Sequence, residues 1–314
     1  MNNRNKNIQK KNKEKLKPIK LRDYSEWIAR CDARLSAELC AIAEEICEDE
    51  SVKLLRLIGP TCSGKTTAAN MLKERFLTYG KHVHIISIDD FYFDTEKLRE
   101  MSQNSGKDKV DYDSPETIDI AALKDFVNEI FTKDVSHCPI FDFNVGKRSG
   151  SRELRCGKED IFLFEGIQAL YPDVSKLFAE IGHPSVEIYI APQSSVEIGG
   201  YIFEPNEIRL MRRIVRDRNF RRTEAEFTFH LWHAVRANEE KYIFPFVGDC
   251  KYSIDSTMPY EIGILKPYLK KALDALPENS EYVKEASTIL KKIARVPTLS
   301  DSLISEGSLY KEFV

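Results

Sequence analysis

An apolar run, VKLLRLI (52–58), is followed by GPTCSGKT (59–66) and then by a helix-like run over 65–79. The octet fits G-x-x-x-x-G-K-[ST], and it stands where that pattern has a physical meaning, between a buried strand and the start of a helix. Gly59 and Gly64 are expected to allow positive φ and close backbone approach to an anion. The N–H groups of the loop, Thr61 and Ser63 among them, and the helix N-terminus would then point at phosphate oxygens. Lys65 can reach β- and γ-phosphates, the Thr66 hydroxyl can ligate Mg²⁺, and Thr67 can support an α-phosphate oxygen. Cys62, inside the loop, reads as a small residue tolerated there, with a redox-sensitive thiol as the rarer case.

The remaining pattern is of strands alternating with helices. Residues 24–48 carry Ile28, Cys31, Leu35, Leu39, Ile42 and Ile46 on one helical face. HVHIISI (82–88) reads as a second strand closed by Asp89-Asp90, and IFLF (161–164) and VEIYI (186–190) as further buried strands. Helices are expected at 117–131, 206–219, 223–240, 260–274 and 281–294, with a last short strand at 251–255. Such alternation implies an α/β fold, a mostly parallel sheet covered on both faces. One catalytic domain is expected over 22–275, with a helical C-terminal extension over 276–314.

Charge narrows the function classes. The net charge is −3, yet residues 1–20 hold eight Lys or Arg against one Glu, so the body carries −10. That segment, MNNRNKNIQKKNKEKLKPIK, is too poor in apolar residues to offset its ordering entropy. The basic tail (1–21) is therefore read as disordered. An acidic body argues against a dedicated nucleic-acid binder. No run approaches 18 apolar residues, so no membrane span is expected. The seven Cys include no CxxC pair and the six His no HxxxH-type ligand pair, which fits a reducing, cytoplasmic setting and makes a zinc site improbable. His82, His84 and His183 are read as structural or surface residues.

Two acidic strand ends supply chemistry. Asp89 follows HIISI and Glu165 follows IFLF. In a parallel sheet both emerge at the carboxyl edge, beside the phosphate loop. One carboxylate there can hold Mg²⁺ and another can accept a proton from an attacking hydroxyl. RLMRRIVRDRNFRR (209–222) packs seven Arg into fourteen residues, and Arg209, Arg212, Arg213 and Arg216 share one helical face. Such a helix suits a cationic lid over a transferring phosphoryl group.

These motifs, in order, resemble the uridine kinase branch of the phosphoribulokinase/uridine kinase P-loop superfamily. GPTCSGKTT resembles its phosphate loop, SIDDFY (87–92) its Asp-x-Phe-Tyr strand end, and DYDSPETID (111–119) its Phe-Asp-His-Pro-Asp segment. PIFDF (139–143) resembles Pro-x-Tyr-Asp-Phe, FEGIQAL (164–170) its Glu-Gly-Ile strand end, and 209–222 its arginine-rich lid. EEKYIFPF, YEIGILKPYL and SLYKEF are similar to a bacterial-type subgroup. The resemblance runs from about residue 54 to the C-terminus.

The resemblance implies a P-loop NTPase three-layer sandwich with a helical lid, using ATP or GTP with Mg²⁺. Asp89 would be the general base, with Thr66, Asp89 and Glu165 around Mg²⁺. Asp113 would accept hydrogen bonds from the ribose hydroxyls. Tyr92, Tyr112 and Phe141 would line the acceptor pocket. Arg209 and Arg212 would face the transferring group, with Arg216 and Arg221 behind them. The implied acceptor is uridine or cytidine, with another sugar, sugar phosphate or polyol as the alternative and a nucleotide-dependent RNA-associated or regulatory protein as a third reading. Family relatives are often homo-oligomers, but no interface pattern is legible here. Base-recognition positions depart from the family: Phe141 replaces a tyrosine, Gly146 stands near the pyrimidine-contacting histidine, and Ser114 replaces another histidine. Lys147, Arg148 and His137 are the candidates to substitute.

Overall fold

The computed structural model describes Glu14–Lys15, residues 21–104 and residues 114–314. In chain order the strands and α-helices are β1 (Glu14–Lys15), α1 (Leu21–Cys47), β2 (Leu54–Ile58), α2 (Lys65–Thr78), β3 (Val83–Ser87), α3 (Thr95–Asn104), α4 (Ile120–Thr132), β4 (Val135–Asp142), β5 (Lys147–Arg155), β6 (Ile161–Glu165), α5 (Pro172–Glu180), β7 (Ser185–Ala191), β8 (Val196–Ile198), β9 (Tyr201–Phe203), α6 (Pro205–Arg221), α7 (Ala225–Tyr242), β10 (Tyr252–Asp255), α8 (Glu261–Leu273) and α9 (Val283–Ala294). Of the segment read as a basic tail, only β1 and the start of α1 are described, and β1 runs parallel to Val196–Glu197.

The central sheet is five-stranded in the order β10-β7-β2-β6-β3, and every neighbouring pair is parallel. Strand period two sorts the apolar residues to opposite faces. Leu55 and Leu57 of β2, with Leu163 and Ile188, join the core beneath α1, α2, α6, α8 and α9. Leu54 and Ile58, with Phe162 and Phe164, join a second core against α4 and α5. Near-continuous apolar runs are what burial on both faces requires, and the result is the three-layer α/β sandwich that the alternation implied.

Strand β1, helix α3, the β4–β5 hairpin, helix α5 and the β8–β9 hairpin went unread in the sequence. The antiparallel hairpin β4–β5 carries charged residues on an exposed second strand, so no apolar alternation marks it. Helix α3 buries one residue, Leu98. The small hairpin β8–β9 has three-residue strands, too short for any period to register. The C-terminal residues 276–314 pack on the main core rather than projecting from it, with Ile289, Leu309, Tyr310 and Phe313 all buried in the cluster that holds β2 and α2.

Candidate active site

The loop between β2 and α2 is shaped from behind. Gly59 is required by contact, since a Cβ there would meet the Ile190 carbonyl oxygen at 2.2 Å and Ser63 Oγ at 2.5 Å. Gly64 is required by conformation, at φ +93° on the N-cap of α2; a Cβ would also strike the Leu309 side chain. The positive φ expected at both glycines thus falls on Gly64 and on Cys62, at φ 57°, while Gly59 is a close-approach glycine. Ser256 Oγ donates to the Ser63 carbonyl at 2.7 Å, and Arg212 Nη1 donates to the Cys62 carbonyl at 3.2 Å. With its carbonyls held on that side, the loop is fixed by its surroundings. Cys62 is buried, which favours the small-residue reading over a redox thiol.

Lys65 Nζ donates to the carbonyls of Gly59 and Pro60 at 3.0 and 3.2 Å, spanning the loop it belongs to. The Thr66 side is exposed, and Thr67 Oγ1 donates to Glu312 Oε2 at 3.2 Å. Thr67 therefore meets a carboxylate from the C-terminus where an α-phosphate contact was expected.

The strand-end acids do come together. Ser87 pairs with Glu165 across β3 and β6, so Asp89, two residues on, lies beside Glu165. Both line one cleft of about 950 Å³ with Thr61, Ser63, Lys65 and Thr66. Burial, and then the facing Glu165, push the Asp89 carboxyl up to about 6, against the opposing pull of a Gln168 hydrogen bond and of Lys65. Gln168 Nε2 donates to Asp89 Oδ1 at 2.6 Å and to Tyr92 Oη at 2.9 Å, so one amide orients both side chains. Asp90 turns away: its Oδ1 accepts the Phe141 N–H at 3.1 Å and ties hairpin β4–β5 to the end of β3.

The wall beyond Asp89 is aromatic. Phe143 meets Tyr92 and Phe141 edge to face and those two are tilted to each other, with centroids 4.9–6.0 Å apart, and all three line the cleft. Arg148 is bound to the Phe91 carbonyl and to Asp119, and His137 is exposed on β4. Neither lines the cleft, nor does Lys147. Asp113 and Tyr112 lie outside the described residues.

The arginine helix divides its charges differently from the expectation. Arg209 and Arg212 were expected to face the transferring group, but both are buried within the protein. Arg209 makes a two-pronged pair with Glu239 of α7, at 3.0 and 2.6 Å, and lies over the Trp232 ring. Arg212 pairs with Glu261 at 2.6 and 3.1 Å and also donates to the Ser256 carbonyl and to Tyr310 Oη. The physical reason is that an acid on each packing helix claims one guanidinium, and a buried charge must be paired. Arg213, Arg216, Arg221 and Arg222 line the cleft instead, the first three gathered by the buried Asp217. Partial burial, and then Arg216, press the Arg221 pKa below its usual range, against the opposing pull of Asp217. Sequence reasoning missed Gln168, although FEGIQAL contains it. It also missed Glu312 and the cleft-lining Phe143 and Phe220.

A parallel sheet whose first loop is a phosphate cradle, with two acids at neighbouring strand ends and an arginine helix alongside, is the fold and site of a P-loop kinase. The chain belongs to the phosphoribulokinase/uridine kinase family, whose model matches residues 54–259. It is 25% identical over 202 residues to the uridine kinase of Ureaplasma urealyticum, covering 64% of this chain and 86% of that one. It is 27% identical over 164 residues to the uridine kinase of Clostridium novyi, covering 52% and 67% respectively. Among solved structures it is similar in fold to a candidate fructose transport system kinase from Silicibacter sp. TM1040, with TM-score 0.50, 19% identity, and coverage of 69% of this chain and 98% of that chain. No helix among the described residues is long and apolar enough to cross a membrane.

Proposed function

We propose that the protein transfers the γ-phosphoryl group of ATP or GTP to the 5′-hydroxyl of a nucleoside, uridine or cytidine. The convergence of Lys65, Asp89 and Glu165 on one cleft carries the reading, and the uridine kinases to which the chain is similar supply the acceptor class. The Asp89 carboxylate takes the proton of the acceptor hydroxyl; the freed oxygen bonds to the γ-phosphorus as its bond to the β,γ-bridging oxygen breaks. A carboxyl titrating near 6 is ionised at neutral pH yet basic enough to hold that proton. Arg213, Arg216 and Arg221 take the charge-facing role in place of Arg209 and Arg212, which position the loop and the helix. Asp113 and Tyr112 keep their proposed roles at the ribose hydroxyls and the base.

The Thr66 hydroxyl and the Asp89 and Glu165 carboxylates are all hard oxygen donors, and two facing carboxylates repel until a cation joins them; the set fits Mg²⁺. When bound, Mg²⁺ would neutralise phosphate charge between donor and acceptor. All seven cysteines are free thiols, consistent with a cytoplasmic setting.

One observation favours a second acceptor class, a sugar or polyol. Gly146, near the family's base-contacting histidine, has φ +72°, and a Cβ there would meet Thr95 Oγ1 at 2.3 Å. No side chain reaches a base from that position, and a site without such donors discriminates weakly. A thermal-shift panel of nucleosides, sugars and polyols with an unreactive ATP analogue separates the classes, because acceptor binding raises apparent stability by mass action. Uridine or cytidine should raise the melting temperature and accept phosphate when ATP replaces the analogue. A sugar or polyol alone doing so would replace the nucleoside reading; no acceptor doing so would overturn both.

A further inference from the structure

The carboxyl ends of β3 and β6 deliver Asp89 and Glu165 to the cleft; their amino ends hold a second cluster that the kinase chemistry does not use. His82 immediately precedes β3 and His84 is its second residue, so the two, two positions apart, project to one side of the sheet. Ile161 N donates to the His82 carbonyl at 2.8 Å and His84 is in register with Phe162, so Asp160, just before β6, stands beside His82. The His84 ring is packed flat on Phe162, 5.1 Å between centroids at 14°, and is buried, whereas the His82 side chain is 57% exposed. Each strand has five residues, which puts this cluster about 17 Å from the phosphate cleft.

Three atoms converge here. His84 Nε2 lies 2.7 Å from Asp160 Oδ2 and 3.2 Å from His82 Nδ1, and His82 Nδ1 lies 3.6 Å from Asp160 Oδ2. A ring nitrogen has a single in-plane site, holding either a proton or a lone pair. If His84 Nε2 gives its proton to Asp160, nothing remains there for His82 to donate to. The His82–Asp160 separation is too long for a hydrogen bond, so no proton bridges that pair, whereas one cation at the focus of the three atoms joins them all. The three separations bracket the edge of a tetrahedron with metal–ligand bonds of 2.0–2.1 Å, which is about 3.3 Å. A backbone N–H, that of Gly157, bonds Asp160 Oδ2 at 2.9 Å and helps to orient it.

The geometry points to a divalent transition-metal site formed by His82, His84 and Asp160, remote from the catalytic cleft and open to solvent at its fourth position. Two imidazoles and one carboxylate select Zn²⁺, Ni²⁺ or Cu²⁺ over Mg²⁺ and Ca²⁺. The site ties the edge strand β3 to β6 at the end opposite the chemistry, so its occupancy changes stability without a catalytic requirement.

Calorimetric titration of Zn²⁺ into the full chain, in millimolar Mg²⁺ and without nucleotide, tests it, with His82→Ala, Asp160→Asn and Asp89→Asn as variants. The wild type should bind one equivalent and melt at a higher temperature with Zn²⁺. His82→Ala and Asp160→Asn should each weaken that equivalent by roughly tenfold or more, and Asp89→Asn should leave it intact. His82 is exposed, so its variant should melt like the wild type when no Zn²⁺ is present, which separates ligand loss from misfolding. Wild-type affinity retained in His82→Ala, or no saturable Zn²⁺ uptake by the wild type, would overturn the site.

Discussion

A carboxylate that must accept a proton near neutral pH cannot sit freely in water, where it titrates near 4. Asp89 is moved by burial and by Glu165, and Gln168 holds it in place. The shift costs stability. Folded Asp89 titrates at about 6 against 3.8 for an unperturbed aspartate, so the folded state binds more protons between those values. Its contribution falls as pH rises from about 4 to 6 and then levels. Asp89→Asn should therefore gain on the wild type across that window, reaching about 1–3 kcal/mol above pH 7 in Mg²⁺-free buffer. Urea unfolding of the two proteins at pH 4.5 and 7.5 measures the difference. Both acids were legible because an apolar run that stops at a carboxylate marks a strand end. Gln168 was not, because it lies in a short 3₁₀ turn, Ile167–Leu170, where side-chain direction follows from no period.

Helix α6 shows why spacing alone could not assign its arginines. Four of them share a face, but the face is divided by what packs on it. Glu239 and Glu261, from α7 and α8, take Arg209 and Arg212 inward, while Arg213 and Arg216 reach the cleft around Asp217. Neither acid signals its partner in the sequence, since 30 and 49 residues separate the pairs. Arg209→Ala should take the two-pronged partner from the buried Glu239, which keeps Arg236 at 2.7 Å, and cost about 1.5–3 kcal/mol. Arg216→Ala should leave the unfolding free energy within about 1 kcal/mol, since Asp217 keeps Arg213, and lower kcat instead. Denaturant unfolding and steady-state rates on the two variants distinguish a helix anchor from a cleft cation.

Across the whole molecule, the sheet, its flanking helices and the carboxyl-edge position of the site were legible from alternation. The docking of the last residues was not, because SLYKEF has no period that says which surface it covers. In the structure Leu309 seats against Gly64, Tyr310 accepts from Arg212, and Glu312 accepts from Thr67. The phosphate loop is thus braced by residues 245 positions away in sequence. Leu309, Tyr310 and Phe313 are each no more than 2% exposed. Removing residues 307–314 should cost about 5–9 kcal/mol at 1.5–3 kcal/mol for each buried side chain. That is comparable to the stability of a whole domain. Soluble yield and urea midpoint of the truncated chain report it; a native midpoint would show the segment to be dispensable.

Phosphoryl transfer by Asp89→Asn, measured with labelled ATP, Mg²⁺ and the acceptor identified by the panel, tests the base assignment most directly. The amide keeps the size and the Gln168 contact of the carboxylate but cannot take up a proton. Turnover should fall by about 10²–10⁴ with the melting temperature undiminished. A near-native rate would contradict the assignment of Asp89 and, with it, the reading of the cleft as a site of base-assisted transfer to a hydroxyl.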